Sequence, residues 1–150
     1  MKYLIISDTH GYITDAVEAI KKHSPDYCIH LGDMAQDCED LEAVFPMQKF
    51  IFVKGNNDVW LRNNMFPDER VFNLDGKTFF LTHGHKFYVK SGLDALKKAA
   101  TERNADIVLY GHTHIQKLEE DSGLLIINPG ARGKYAILTI DNDNVKSELY

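Results

Sequence analysis

Short runs of apolar and β-branched residues recur along this chain, separated by polar turns rich in Gly, Asp, Asn and His. Lys2 to Ser7 predicts a first strand that stops at Asp8-Thr9-His10-Gly11. A helix is expected from Thr14 or Asp15, with Asp15 and Glu18 in capping-box spacing, Ile13, Ala16, Val17 and Ile20 on one face, and Ser24-Pro25-Asp26 as its stop. Tyr27 to Leu31 reads as a second strand ending at Gly32-Asp33, and a short helix from Asp37 to Val44 leads to Pro46. Lys49 to Val53 is a third strand ending at Gly55-Asn56. This alternation implies parallel strands with right-handed crossovers, and such sheets bind ligands beyond the carboxyl ends of their strands.

After a polar loop through Asn63-Asn64 to Pro67, the rhythm changes. Arg70–Leu74 and Thr78–Thr82 form a hairpin across Asp75-Gly76, a strong turn signal, and the second strand ends at His83-Gly84-His85. Leu93, Leu96, Lys97 and Ala100 mark a helix, and Ile107 to Tyr110 a buried strand. Two more strand pairs follow, Gln116–Glu120 with Leu124–Asn128 and Tyr135–Ile140 with Val145–Leu149. The expected arrangement is a parallel half followed by a largely antiparallel half, in two sheets packed face to face with helices outside.

Candidate chemistry collects where these strands end. The strand at Ile107 stops at Gly111-His112-Thr113-His114. Residues two apart point the same way in extended backbone, so both imidazoles are expected to face one point, an arrangement suited to a metal ion. Taken singly, Asp8-x-His10, Gly32-Asp33 and Gly55-Asn56-Asn57-Asp58 read as ordinary turns. Two H-x-H pairs at strand ends use four of the seven histidines, which is harder to dismiss. Together the turns supply what two neighbouring metal ions need: carboxylates, imidazoles and one neutral amide.

Composition narrows the class. At 150 residues, one domain spanning 1–150 is expected, and 44% hydrophobic with 26% charged residues is ordinary for a globular protein. No run is long enough for a signal peptide or a membrane span. Cys28 and Cys38 lack metal-type spacing and suggest reduced thiols in a cytoplasm. A formal charge of −5 argues against general nucleic-acid binding. With Asp8 and Asp33 as the anionic ligands, however, two divalent ions would leave the site positive by about two charges and attractive to a phosphate.

The ordered set Asp8-x-His10, Gly32-Asp33, Gly55-Asn56-Asn57-Asp58, His83-Gly84-His85, Gly111-His112-Thr113-His114 and Asn128-Pro129-Gly130 resembles the calcineurin-like metallophosphoesterases, in their small single-domain bacterial and archaeal phosphodiesterase branch. The resemblance implies an α/β, four-layer α-β-β-α sandwich of two mixed sheets. It implies that Asp8, His10, Asp33 and His114 hold one divalent ion, and that Asp33, Asn56, His83 and His112 hold the other. Manganese is the first choice, with iron, nickel or zinc as alternatives. Asp33, Asn56 and His83 would then be catalytic, serving in-line attack by a metal-bridging hydroxide on a phosphoester. The alternative is a catalytically weak metal-binding or protein-scaffold member, because a retromer subunit has a similar fold. Homo-oligomerisation is left open.

One position departs from many members of the family. The residue after Asn56 is Asn57 rather than histidine, and an amide cannot protonate a leaving alkoxide, so slower turnover of poor-leaving-group esters is expected. Asp58 is read as orienting a neighbouring histidine or as capping its own turn. His23 is expected as a cation at a helix C-terminus and His30 as a packed, satisfied ring in mid-strand. His85, Arg62 and Arg132 could reach substrate, and Trp60 with Phe66 could line its entrance or belong to the core.

Overall fold

The computed structural model describes residues 1–58 and 66–150; Trp60, Arg62 and the Asn63-Asn64 loop lie outside them. Elements follow in the order β1 Lys2–Ile6, α1 Thr14–His23, β2 Tyr27–His30, α2 Ala35–Val44, β3 Lys49–Phe52, β4 Glu69–Leu74, β5 Lys77–Thr82, α3 Asp94–Glu102, β6 Ile107–Leu109, β7 Lys117–Asp121, β8 Leu124–Asn128, β9 Ala136–Asp141 and β10 Asn144–Leu149. They build two mixed five-stranded sheets, ordered β10-β9-β1-β2-β3 and β4-β5-β6-β8-β7.

The expected division into a parallel half and an antiparallel half does not hold. Strands β1, β2 and β3 are parallel, and so are β5, β6 and β8. Antiparallel partners then flank each parallel core: β9 and β10 beside β1, β4 beside β5, and β7 beside β8. The last hairpin thus returns to the first sheet, which local sequence signals could not show. Its reason lies in burial: Ala136, Leu138 and Ile140 sit in the central layer with Tyr3 and Ile5, so β9 completes the inner face beside β1.

Alternation along the strands separates two faces of each sheet. Tyr3, Ile5, Ile29 and Leu31 pack against Phe79, Leu81, Leu109 and Ile127 in the layer between the sheets. The opposite faces carry the helices: Leu4, Ile6 and Cys28 meet Ala16, Ala19, Ile20 and Leu41, whereas Phe80, Val108 and Ile126 meet Leu96, Ala99 and Ala100. The Tyr3 hydroxyl, beneath an almost wholly buried ring, donates to Asp75 at 2.8 Å and joins the first sheet to the turn between β4 and β5.

Two local expectations are corrected and one open alternative is resolved. Helix α1 begins at Thr14 with Ile13 in the cap position and no side-chain cap, so the Asp15–Glu18 box does not form. Helix α2 begins at Ala35, two residues before Asp37, because its first-turn N–H groups are satisfied from another loop, as described below. Phe66 packs with Ala35, Cys38 and Phe52, its ring 5.5 Å from that of Phe52, and therefore belongs to the core. Among the described residues, no helix is long and apolar enough to cross a membrane.

Candidate metal centre

Six parallel strands from two sheets end at one edge of the sandwich, and the chemistry follows their carboxyl ends. Asp8 and His10 come after β1, Asp33 after β2, Asn56 after β3, His83 after β5, and His112 and His114 after β6; Asn128 closes β8. Among the described residues, two clusters of ligand atoms form, each within 4.8 Å: Asp8, His10 and His114, and Asp8, Asp33 and His83.

Asp8 is common to both clusters. Its Oδ2 accepts from Ser7 Oγ at 2.5 Å and from the His112 N–H at 3.1 Å. Its Oδ1 has no hydrogen bond and lies 3.0 Å from His114 Nε2 and 3.8 Å from His83 Nε2. Gly111 permits this approach, because a Cβ there would overlap Ser7 Oγ and Asp8 Oδ2. Asp33 carries a different set of bonds: the Asn57 N–H donates to Oδ1 at 2.9 Å and the Asn57 amide to Oδ2 at 2.7 Å. Its Oδ2 still lies 3.5 Å from His83 Nε2. Asp8 is thus common to both clusters by ligand distance, and Asp33, expected to be shared between the two ions, joins the second cluster while also bonding the Asn56-Asn57 loop.

The histidines divide rather than share a focus. The rings of His10 and His114 are 5.5 Å apart, whereas His112 lies 5.1 Å from His83 and 6.1 Å from His85. Extended backbone would have pointed His112 and His114 the same way, but both have positive φ, 67° and 61°. Asp8, His10 and Asp33 are also left-handed, at 54°, 49° and 62°. Strained backbone of this kind costs about 1–3 kcal/mol per residue and collects at functional sites. None of the five is glycine, so composition carried no signal of it.

Hydrogen bonds behind the cluster set which atoms remain free. His83 is buried and its Nδ1 donates to the Leu31 carbonyl at 2.7 Å, which leaves the Nε2 lone pair facing Asp8 and Asp33. Burial opposes charge on His83, yet the two carboxylates outweigh it and push its pKa up. Burial would likewise raise Asp33, but His83 and Asn57 hold its carboxyl well below the usual range. Burial, aided by His83 and Lys90, lowers His112 to about 4. Burial and His83 lower His85 as well.

Two carboxylates hold the loops: Asp58, which caps its own turn as the sequence allowed and reaches beyond it, and Asp37, which the sequence did not single out. Asp58 accepts from the backbone N–H groups of Asp33, Met34 and Ala35 at 2.9 Å each and of Gly55 at 2.7 Å. No histidine is among those partners; Asp58 joins the Asp33 and Asn56 loops and caps α2 from outside. Asp37 accepts from Thr9 Oγ1 at 2.5 Å and from the Gly11 N–H at 2.8 Å. His30 stands at the end of β2, not in its middle; its Nδ1 accepts from the Gly32 N–H at 3.1 Å, so its Nε2 donates to Thr9 Oγ1 at 2.9 Å. A first-turn acid such as Asp37 looks like helix decoration in sequence and gave no sign of this.

The outlying candidates are settled by position. The cation expected at the helix end is disfavoured at His23, whose pKa is lowered, by burial first and then by Lys22 and Lys2, and Lys2 Nζ bonds the His23 carbonyl at 2.9 Å. The Arg132 guanidinium lies over the Tyr12 ring, 5.4 Å from its centre. His85 stands beside His83, with rings 5.6 Å apart, and its Nδ1 is buried without a partner.

Comparison with known proteins accounts for this edge of the molecule. Residues 1–143 match the family model of the calcineurin-like phosphoesterase superfamily domain. The chain belongs to the calcineurin-like phosphoesterase superfamily. Among curated relatives of this calcineurin-like phosphoesterase is the probable metallophosphoesterase YsnB of Bacillus subtilis, 34% identical over 100% of this chain and 90% of that protein. Another is the phosphodiesterase MJ0936 of Methanocaldococcus jannaschii, 32% identical over 87% of this chain and 83% of that protein. The solved structure of Vps29 from Entamoeba histolytica complexed with zinc superposes with a TM-score of 0.79 over 100% of this chain and 98% of that one; at 20% identity the likeness shows the fold alone. The relatives' names support a hydrolase acting on phosphoesters, and the calcineurin-like fold implies divalent metal binding.

Proposed function

We propose that residues 1–150 act as one metal-dependent phosphodiesterase unit holding two divalent ions, manganese before iron, nickel or zinc. The observation that carries this reading is a set of buried donor atoms without hydrogen-bond partners: Asp8 Oδ1, His10 Nε2, Asn56 Oδ1 and His83 Nε2. An unpaired buried polar atom costs about 1–3 kcal/mol, and four with lone pairs toward one edge fit cations. Asp8, His10 and His114 would hold one ion. Asp33, Asn56, His83 and His112 would hold the other, with Asp8 or Asp33 shared.

When bound, such ions offset the charge of the phosphoryl group and lower the pKa of water for its in-line attack. The chain's own residues prepare that chemistry. Leu31 orients His83, Asn57 fixes both oxygens of Asp33, and Asp58 keeps the two loops at a set distance. Asn57 is exposed and offers no proton to a leaving alkoxide, so activated esters are the better substrates. Cys28 and Cys38 are free thiols whose pKa values burial pushes up, which fits a reducing cytoplasm.

Metal content by mass spectrometry, beside a metal-dependent assay on bis(p-nitrophenyl) phosphate, tests the reading. Two equivalents of metal with turnover, both reduced in Asp33→Ala, are expected; full turnover in that variant refutes it. A scaffold role is the second reading, prompted by the shared fold with Vps29. Folded protein that loads metal yet hydrolyses no phosphoester would favour it.

A further inference from the structure

Beside the metal centre lies a mostly apolar cleft of about 570 Å³, lined by Val89, Lys90, Leu93, Tyr110, Thr113 and Ile115 among others. It is continuous with the ligand-bearing turns at two places. Thr113, in its wall, stands between His112 and His114. Val89 and Tyr110 back onto Gly84, between His83 and His85, so closely that a Cβ there would meet Val89 at 2.9 Å and Tyr110 at 3.4 Å. Ile115, the residue after His114, is 70% exposed at this cleft. A single exposed isoleucine says little by itself, but here it adds apolar surface next to the ligand-bearing turns. Lys90 brings positive charge to the same cleft in a protein of formal charge −5.

Resting on the phosphoesterase reading above, we propose that this cleft receives one arm of the ester, an aromatic ring that carries its own negative charge. Val89, Leu93 and Ile115 cover the ring and Lys90 meets the anion. Small-molecule sites run from about 300 to 1,000 Å³, so the volume leaves ample room for a substituted ring. The substrate class is then an anionic aryl-type phosphoester, distinct from a simple alkyl or lipid ester.

Three phosphonates that cannot be hydrolysed test this by calorimetry on the metal-loaded protein: methylphosphonate, phenylphosphonate and 4-carboxyphenylphosphonate. Methylphosphonate reports the metal centre alone. Phenylphosphonate should bind about tenfold more tightly, from the ring surface removed from water. The carboxylate should add a further gain of about threefold, as expected for an exposed ion pair. Ile115→Ala should reduce the phenyl-to-methyl ratio by about fivefold, and Lys90→Ala should abolish the carboxylate gain while keeping the phenyl gain. Both side chains are exposed, so both variants should fold, which a thermal melt verifies. Equal affinity for methyl and phenyl compounds overturns the cleft proposal, and a butylphosphonate that binds as tightly as the phenyl compound overturns the aromatic assignment. Failure of all three to bind would instead remove the phosphoesterase reading itself, and the cleft proposal with it.

Discussion

The loops after β1, β2 and β3 and those after β5 and β6 face the same centre with different chemistry and different support. The first sheet contributes both carboxylates, Asp8 and Asp33, and backs them with two more buried acids, Asp37 and Asp58. Those acids hold backbone N–H groups, so each loop is tied to its neighbour by charge-assisted bonds. The second sheet contributes imidazoles and is held by neutral groups. Asn128 donates to the Gly111 carbonyl at 2.9 Å and to Thr113 Oγ1 at 3.0 Å, and accepts from the Gly130 N–H at 2.9 Å. Rigid anions on one side, joined by His10, and imidazoles alone on the other make a centre whose carboxylates come from the first sheet and whose opening is shaped by the second; His114 is 52% exposed, whereas Asp8 is fully buried.

The largest effect should come from removing the acid that holds most. Asp58→Ala leaves the N–H groups of Asp33, Ala35 and Gly55 in buried surroundings without a partner. At about 1–3 kcal/mol each, the loss should be at least about 3 kcal/mol, a large part of the roughly 5–15 kcal/mol that keeps a domain folded. Asn128→Ala should cost about half as much, since its bonds are between neutral groups. Urea denaturation with a chelator present compares the two. A larger loss for Asn128→Ala would reverse the assignment of rigidity to the first sheet.

How much of this was legible in the sequence follows the same division. Strand positions were readable because β-branched runs end at glycine-bearing turns, and the ligand turns were readable as chemistry because histidines and carboxylates cluster at those ends. Direction was readable for β1, β2 and β3 and for the hairpins, but not for the parallel pairing of β5, β6 and β8 or the return of β9 to β1, which depend on packing across the whole chain. Nor was the role of Asp58, whose partners are backbone groups that any residue supplies. The parting of His112 from His114 rests on left-handed backbone that neither side chain advertises. His30 was readable as a packed, satisfied ring, but its link to Asp37 was hidden, because their shared partner Thr9 is a single hydroxyl between two conspicuous ligands.

That buried trio gives the next effect in size and sharpens the contrast in charge. His30 is fully buried, and burial lowers its pKa from 6.5 to about 4 despite Asp37 and Asp58 nearby. A folded-state pKa below the unfolded one means that the unfolded chain takes up the proton first. The stability contribution is therefore complete above pH 6.5 and is lost progressively as pH falls toward 4. The difference amounts to about 3 kcal/mol. His30→Gln should show a flatter stability profile than the parent chain across that window, measured by denaturation at stepped pH. Parallel profiles would mean that His30 is charged in the folded state and that the first sheet's loops do not depend on a neutral ring.

The smallest effect lies where the two sides meet substrate, at Asn57. Its amide and backbone N–H both bond Asp33, at 2.7 and 2.9 Å, so Asn57→His changes two things together. It introduces a group able to protonate a leaving alkoxide, worth up to about 10²–10⁴ in rate when well placed. It also removes the amide bond to a carboxylate, a loss of about 1.5–3 kcal/mol that affects every substrate alike. Turnover of nitrophenyl esters, which need no proton on departure, should therefore fall, while turnover of alkyl esters should fall less or rise. The alkyl-to-nitrophenyl ratio cancels the shared loss and should increase by about tenfold, the lower part of the general-acid range for an unoptimised ring. An unchanged ratio would show that proton supply does not limit alkyl esters, and that Asn57 matters only as the first sheet's hold on Asp33.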